Sequence, residues 1–230
     1  MKVLLIDPGD RYLEKDIKVV KPYPHIGLCY LGTYLLSKDI ETKIIDIGAY
    51  ELNEKQVEEE IRSFKPDLIG ITGMTFLIPE ITELCKKIKQ INKDIVIVLG
   101  GAHASAVPEL ILEECADIDI TIRGEGEEVL YNVVKAFEKG NLKENLRSIR
   151  GINFRYENDI ISNPKQNYIE NLDNIPFPDW SLYDYDKYFK LYSERFNEKL
   201  SMYQISGSRG CPYTCAFCYP LLGRQIRYRT

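Results

Sequence analysis

Cys211, Cys215 and Cys218 form a Cys-x-x-x-Cys-x-x-Cys array in the run Gly207-Ser208-Arg209-Gly210-Cys211-Pro212-Tyr213-Thr214-Cys215-Ala216-Phe217-Cys218, just after a strand-like stretch from Met202 to Ile205. Thiolates are the usual protein ligands of iron-sulfur centres, so three on one tight loop can hold three irons of a four-iron (4Fe-4S) cluster. The fourth iron is then open to chelation by a small molecule. Structural zinc wants four nitrogen or sulfur ligands, commonly in two pairs. This loop offers three, and no histidine follows His103. A disulfide framework suits a short secreted chain, not 230 residues whose opening run does not read as a signal peptide. An iron-sulfur cluster and its rival, zinc, remain the two readings of the array.

The other three cysteines fall in apolar settings. Cys85 shares a helical stripe with Ile78, Ile81, Leu84 and Ile88; Cys115 follows Val107 and Ile111 at helical spacing; Cys29 lies in an apolar helical run. All three read as buried side chains. Unpaired thiols of this kind point to a reducing cytoplasm. The net charge of −5 and the pI near 5.3 give no electrostatic case for nucleic acid. No apolar run reaches the roughly 20 residues a bilayer span requires.

The array needs a scaffold, and the first 140 residues supply an alternating one. Continuous apolar runs predict strands at Lys2–Ile6, Thr42–Ile47, Asp67–Thr72, Ile95–Leu99 and Ile118–Ile122. Amphipathic patterns predict helices at about 26–37, 53–64, 78–91, 107–115 and 126–138, with stripes such as Val57, Ile61, Phe64 and Val129, Val133, Val134, Phe137. Five such units imply an α/β fold with a doubly wound, five-stranded parallel sheet of the Rossmann or flavodoxin type. Ligands of these sheets bind beyond the carboxyl ends of the strands. The loops to inspect are therefore Pro8–His25, Gly48–Leu52, Gly73–Leu77, Gly100–Ala106 and Arg123–Gly126. Gly100-Gly101-Ala102-His103-Ala104-Ser105 is the best candidate cradle, because glycine lets backbone approach a bulky ligand.

Several doubly wound families fail at the chemistry. Asp7-Pro8-Gly9-Asp10 does not make a Gly-x-Gly-x-x-Gly dinucleotide fingerprint, and Gly124-Glu125-Gly126 is only a fragment of one. A Gly-Lys-Ser or Gly-Lys-Thr phosphate loop is absent from the sequence. A phospho-acceptor domain would need an aspartate where Thr72 stands and a lysine where Arg123 stands.

One family matches along the chain. The runs Pro24-His25-Ile26-Gly27-Leu28-Cys29-Tyr30-Leu31-Gly32-Thr33-Tyr34-Leu35, Pro66-Asp67-Leu68-Ile69-Gly70-Ile71-Thr72, Leu99-Gly100-Gly101-Ala102-His103 and Arg123-Gly124-Glu125-Gly126-Glu127 occur in that order. They lead through Asn171-Leu172-Asp173-Asn174-Ile175-Pro176-Phe177-Pro178 into the cysteine loop. This succession resembles the cobalamin-binding-domain radical S-adenosylmethionine enzymes. The resemblance implies that Cys211, Cys215 and Cys218 ligate the cluster, that its open iron binds the amino and carboxylate groups of S-adenosylmethionine, and that Phe217 lies near the adenine. It implies a corrin across the strand ends, with contacts from Thr72, Gly73, Met74, Thr75, Gly100, Gly101, Ser105, Gly124, Glu125 and Gly126, and with His103 beside the nucleotide tail. The Asp-x-His-x-x-Gly motif whose histidine ligates cobalt from below is missing, since Pro24-His25-Ile26-Gly27 has the wrong spacing. By resemblance the lower face of cobalt lacks histidine and cob(I)alamin is easier to reach.

The intact family member would cleave S-adenosylmethionine at the cluster to a radical that abstracts a substrate hydrogen, commonly followed by methyl transfer from methylcobalamin to an unactivated carbon. Some relatives form rings or rearrange instead. The resemblance divides the chain into a cobalamin-binding domain (1–140), a connector of hairpin and aromatic helix (141–200) and the first part of a radical barrel (201–230). The hairpin is expected from Ile152–Tyr156 and Ile160–Asn163, and the helix from Leu182 with Leu182, Tyr185, Phe189, Tyr192 and Phe196 facing a core. A closed βα barrel of this kind takes roughly 200 residues, so the sequence is expected to be inactive alone and to need the remainder of the barrel, supplied by a longer or separate chain. An electron donor such as flavodoxin or ferredoxin, and small-molecule cofactors and substrate, are the implied partners. Two other functions stay open: a non-catalytic cobalamin-binding module, and a zinc-stabilised α/β interaction domain.

Overall fold

The computed structural model describes residues 1–9, 23–140, 142–157, 159–197 and 202–230. Part of the Pro8–His25 loop, and Asn158 of the expected hairpin turn, lie outside them. Five strands, β1 (Lys2–Asp7), β2 (Glu41–Asp46), β3 (Leu68–Thr72), β4 (Val96–Gly100) and β5 (Ile120–Ile122), run parallel in the order 2-1-3-4-5. That is the flavodoxin-like winding, with its switch point between β1 and β3.

Side-chain alternation along β1 divides the core. Val3 and Leu5 pack with α1 (Ile26–Leu36) and, in the latter half of the chain, α6 (Glu127–Glu138); Leu4 and Ile6 pack with α2 (Glu54–Phe64), α3 (Ile78–Ile91) and the helix carrying Ile111 and Leu112. Cys29 belongs to the first cluster, and Cys85 and Cys115 to the second; each is at most 5% exposed, as their apolar settings predict. Local signals set the helix starts. Asn53 and Gln56 form a capping box at α2, and His25 Nδ1 accepts from the Leu28 amide at 3.2 Å to cap α1.

Four expectations need revision. The helix expected at 107–115 is α5 (Pro108–Glu114), but a further short helix, α4 (Ala102–Ala106), precedes it, so the glycine-rich loop expected at Gly100–Ala106 is itself partly helical. Gly101, at φ +94°, sets the corner at which α4 begins. After α6 and α7 (Leu142–Leu146), the sheet does not stop at the five expected strands but continues into the hairpin β6 (Ile152–Tyr156) and β7 (Asp159–Ser162). The hairpin pairs antiparallel to β5 and extends the sheet to seven strands, which places Phe154 in the core. The aromatic helix α8 starts at Tyr185 and runs to Phe196, after a single 3₁₀ turn at Trp180–Leu182. Its most buried aromatic is Tyr188, 1% exposed, whereas Phe196 is half exposed. Tyr188 wins that place because its hydroxyl donates to Asp46 Oδ2 at 2.7 Å, at the end of β2.

The fourth revision concerns Met202–Ile205, which is not a strand. The strand is β8 (Ser208–Arg209), paired antiparallel with β9 (Arg227–Tyr228). Met202, Tyr203 and Ile205 are exposed, with no neighbouring strand among the described residues to pair them.

Candidate functional site

At the carboxyl ends of β1, β3, β4 and β5, a cavity of about 320 Å³ opens between α1 and α6. Its floor is apolar, made by the side chains of Leu5, Val98 and Ile122, with Gly70 between them keeping the β3 surface low. A side chain at Gly70 would start 2.8 Å from Leu5 Cδ2 and fill part of the space. Volumes near 300 Å³ suit a compact ring system or one fragment of a larger cofactor.

Two glycine-bearing loops form the rim. Gly73 N donates to Gly100 O at 3.2 Å, and His103 N donates to Gly73 O at 3.3 Å, so the loops after β3 and β4 are joined backbone to backbone. A Cβ at Gly101 would lie 2.9 Å from the Gly73 nitrogen and oxygen and from Thr72 Oγ1, so only glycine permits this closeness. Ser105 Oγ donates to Gly101 O at 2.8 Å and accepts from Gly124 N at 3.0 Å, which ties in the loop after β5.

Of the residues expected at a ligand, Thr72, Gly100, Gly101, Gly124, Glu125 and Gly126 line the cavity. Gly73 and Ser105 are buried behind the rim and hold it. Met74 and Thr75 are exposed on the outer side, where Thr75 Oγ1 lies 3.0 Å from His103 Nδ1. His103 therefore faces Thr75, not the cavity. The imidazole that lines the cavity is His25, with Ile26, Gly27, Tyr30 and Leu31 beside it on the first turns of α1.

Glu125 lines the cavity through the loop, yet its carboxylate is committed elsewhere. Oε1 accepts from Arg209 Nη1 at 3.0 Å, and Oε2 accepts from Arg227 Nη1 at 2.7 Å and from the Ile169 amide at 2.8 Å. Arg209 Nη2 also donates to Glu127 Oε1 at 2.6 Å. All four side chains are at most 9% exposed. Burial alone would lower the Arg209 pKa, but the charges of Glu127 and Glu125 outweigh it and raise it, so this guanidinium stays charged.

The cysteine loop leaves the β8–β9 pair beside this cluster. Gly210, at φ +94°, sits where any side chain would collide with the Gln225 carbonyl, and Cys211 N donates to Gly223 O at 3.0 Å. Cys211, Cys215 and Cys218 are exposed and free, and Phe217 is 92% exposed. Their thiols do not meet in a metal-holding group among the described residues. The donor set still suits a cluster: three accessible thiols sit on one loop anchored at both ends, and metal binding commonly completes the fold of such a loop. The chain past the cysteines returns to the cavity, where Leu221 and Leu222 line its wall and Tyr219 OH donates to Ser105 O at 2.8 Å.

Sequence reasoning missed the α1 wall, Leu221 and Leu222, and the arginine partners of Glu125. The 2-1-3-4-5 order, once known, exposes the first omission, because it leaves α1 and α6 on one face with a gap between them.

The chain is 34% identical over 229 residues to an uncharacterized methyltransferase of Pyrococcus horikoshii, covering all of this chain and 47% of that protein. It is 33% identical to an anaerobic magnesium-protoporphyrin IX monomethyl ester cyclase of Rubrivivax gelatinosus, covering 95% of this chain and 38% of that one. The chain thus spans about half the length, or less, of these relatives. The structure of the cobalamin-dependent S-adenosylmethionine radical enzyme OxsB, with aqua-cobalamin and S-adenosylmethionine bound, superposes with a TM-score of 0.75 at 23% identity, over all of this chain and 30% of that chain, which shows a shared fold. Residues 16–134, which carry the ends of β3, β4 and β5 at the cavity and most of its rim, match the B12 binding domain. On that match, the chain belongs to the B12-binding domain family.

Proposed function

We propose that this chain is the cobalamin-binding and cluster-bearing portion of a radical S-adenosylmethionine enzyme that methylates an unactivated carbon. The observation that carries the reading is the return of the cysteine loop to the cavity: Leu221 and Leu222 form part of its wall, and Tyr219 is bonded to its rim. In a 230-residue chain, that brings three accessible thiols and a B12-domain cavity onto one face.

The cavity suits the nucleotide tail of cobalamin, with the corrin lying outside across the loops bearing Thr72, Gly73, Met74, Thr75, Gly100 and Gly101. Cys211, Cys215 and Cys218 would hold the 4Fe-4S cluster, and Phe217, free on the loop, would lie near the adenine of S-adenosylmethionine. Bound together, these groups supply reductive cleavage of the sulfonium and a transferable methyl group. The chain's own part is to keep the tail dry against Leu5, Val98 and Ile122, and to present thiols where irons can reach them. Residues 1–140, 141–200 and 201–230 correspond in this reading to cobalamin domain, connector and the first part of a barrel. The barrel's remainder, the substrate and an electron donor such as flavodoxin or ferredoxin are the partners, and three free exposed thiols favour a reducing cytoplasm. Among the described residues no helix is long and apolar enough to cross a membrane.

The cyclase relative supports ring formation as a second reaction for the same parts. Anoxic reconstitution with iron and sulfide tests the cluster. Four irons per chain, lost in Cys215→Ser, are expected. Stoichiometric zinc in place of iron would overturn the cluster assignment and favour the interaction-domain reading.

A further inference from the structure

We propose that Glu125 is a positioning residue, whose buried carboxylate, gripped by Arg209 and Arg227, fixes where the cysteine loop stands against the cobalamin cavity. The inference rests on the reading above for what the cavity and the loop hold. Its geometry is independent of it.

Arg209 lies two residues before Cys211, and Arg227 nine after Cys218, so the two bracket the whole loop. They are register partners across β8 and β9, which sends both side chains to one face of the ribbon. There they meet a single carboxylate, with Glu127 accepting the second arm of Arg209. Arg227 Nη1 also donates to Ile169 O at 2.7 Å and Nη2 to Leu222 O at 2.8 Å, so the same guanidinium holds the return segment that lines the cavity. On its other side Glu125 belongs to Gly124-Glu125-Gly126, the rim after β5.

A clamp of this kind is a poor way to gain stability, because desolvating the charges consumes most of what their attraction returns. Its advantage is direction. Each planar guanidinium divides its donors between Glu125 and a second acceptor, Glu127 for Arg209 and the Ile169 and Leu222 carbonyls for Arg227, which fixes angle as well as distance. The Tyr30 ring, 5.3 Å below the Arg209 guanidinium, and the Tyr168 ring, 5.0 Å from that of Arg227, restrict both forks further. A loop anchored only by the two-residue strands β8 and β9 would otherwise pivot.

Glu125→Gln tests this in two ways. Without cofactors, amide exchange across 207–229 is expected to rise by about ten-fold or more, while β1 to β5 keep their protection. With hydroxocobalamin bound, the cluster rebuilt and both reduced, relaxation of the cob(II)alamin EPR signal by the nearby cluster, compared per bound cobalamin, is expected to weaken and spread. Unchanged exchange overturns the clamp. Raised exchange with unchanged EPR relaxation leaves a structural staple and overturns the positioning role. If the unaltered chain binds no corrin, the cavity reading fails by itself, and the positioning role falls with it whatever the exchange shows. Arg227→Lys keeps the charge but loses the fork, and carries the same prediction at smaller size should Glu125→Gln fail to fold.

Discussion

The hydroxyl of Tyr219, the residue next to Cys218, donates to the carbonyl of Ser105 at 2.8 Å, joining the cysteine loop to the helix that begins the cavity rim. Tyr219 is 57% exposed, so the bond works partly in solvent. Tyr219→Phe should cost about 0.5–1.5 kcal/mol at most. Thermal unfolding is expected to move little, while hydrogen exchange at 211–222 accelerates. A large drop in melting temperature would show instead that the loop is part of the global folding unit.

Tyr188 and Asp46 form a contrasting pair. Their bond is buried, and both burial and the Asp46 charge push the phenol well above its ordinary pKa. The phenol is therefore a donor to Asp46 at neutral pH. Tyr188→Phe takes a donor from a carboxylate that is 2% exposed and should cost about 1–3 kcal/mol, measurable in urea unfolding. A neutral result would mean that water reaches Asp46.

The rim glycines make a sharper case. Gly101→Ala must place a methyl 2.9 Å from backbone atoms of Gly73 at a φ of +94°, and should cost about 1–3 kcal/mol while opening the rim. At Gly124 the nearest atom to a methyl is the Leu221 oxygen at 3.9 Å, so Gly124→Ala bears only the strain of φ +78°. Corrin uptake is expected to fall much further for the first variant than for the second. Equal losses would show that backbone conformation alone governs the rim.

Thiol chemistry separates the six cysteines. Burial pushes the Cys29 thiol up to about 12, and a hydrogen bond with Cys115, then burial, raise Cys85 well above the ordinary thiol range. The same hydrogen bond lowers Cys115 to about 6, so that thiol is shielded by its burial and not by its pKa. Iodoacetamide at pH 8 should modify Cys211, Cys215 and Cys218 in the native protein, and all six cysteines only after denaturation. Rapid native labelling of Cys85 or Cys115 would contradict the packing of the α3 and α5 face.

Much of this was legible in the sequence because both-sided burial writes itself as continuous apolar runs. Lys2–Asp7 and Leu68–Thr72 are such runs, and their ends located the rim loops. The hairpin 152–162 was legible as a hairpin but not as sheet, since an alternating pair looks the same free or docked on β5. The clamp on Glu125 was not legible, because its arginine partners stand 84 and 102 residues away and one sequence carries no record of such pairs. His25, the cap of α1, and His103, in α4, both read as loop residues near strand ends in the sequence. Only the turn of α1 toward the gap beside α6 decides that the first faces the cavity.

Cobalamin binding is the claim on which the rest depends. The purified chain should be mixed anoxically with hydroxocobalamin and passed through gel filtration, with the visible spectrum of the protein peak recorded. Equimolar corrin travelling with the protein, with a spectrum that lacks nitrogen ligation from below, is the predicted result, and Gly70→Leu, which fills the cavity, should abolish it. Folded protein emerging without corrin would contradict the account.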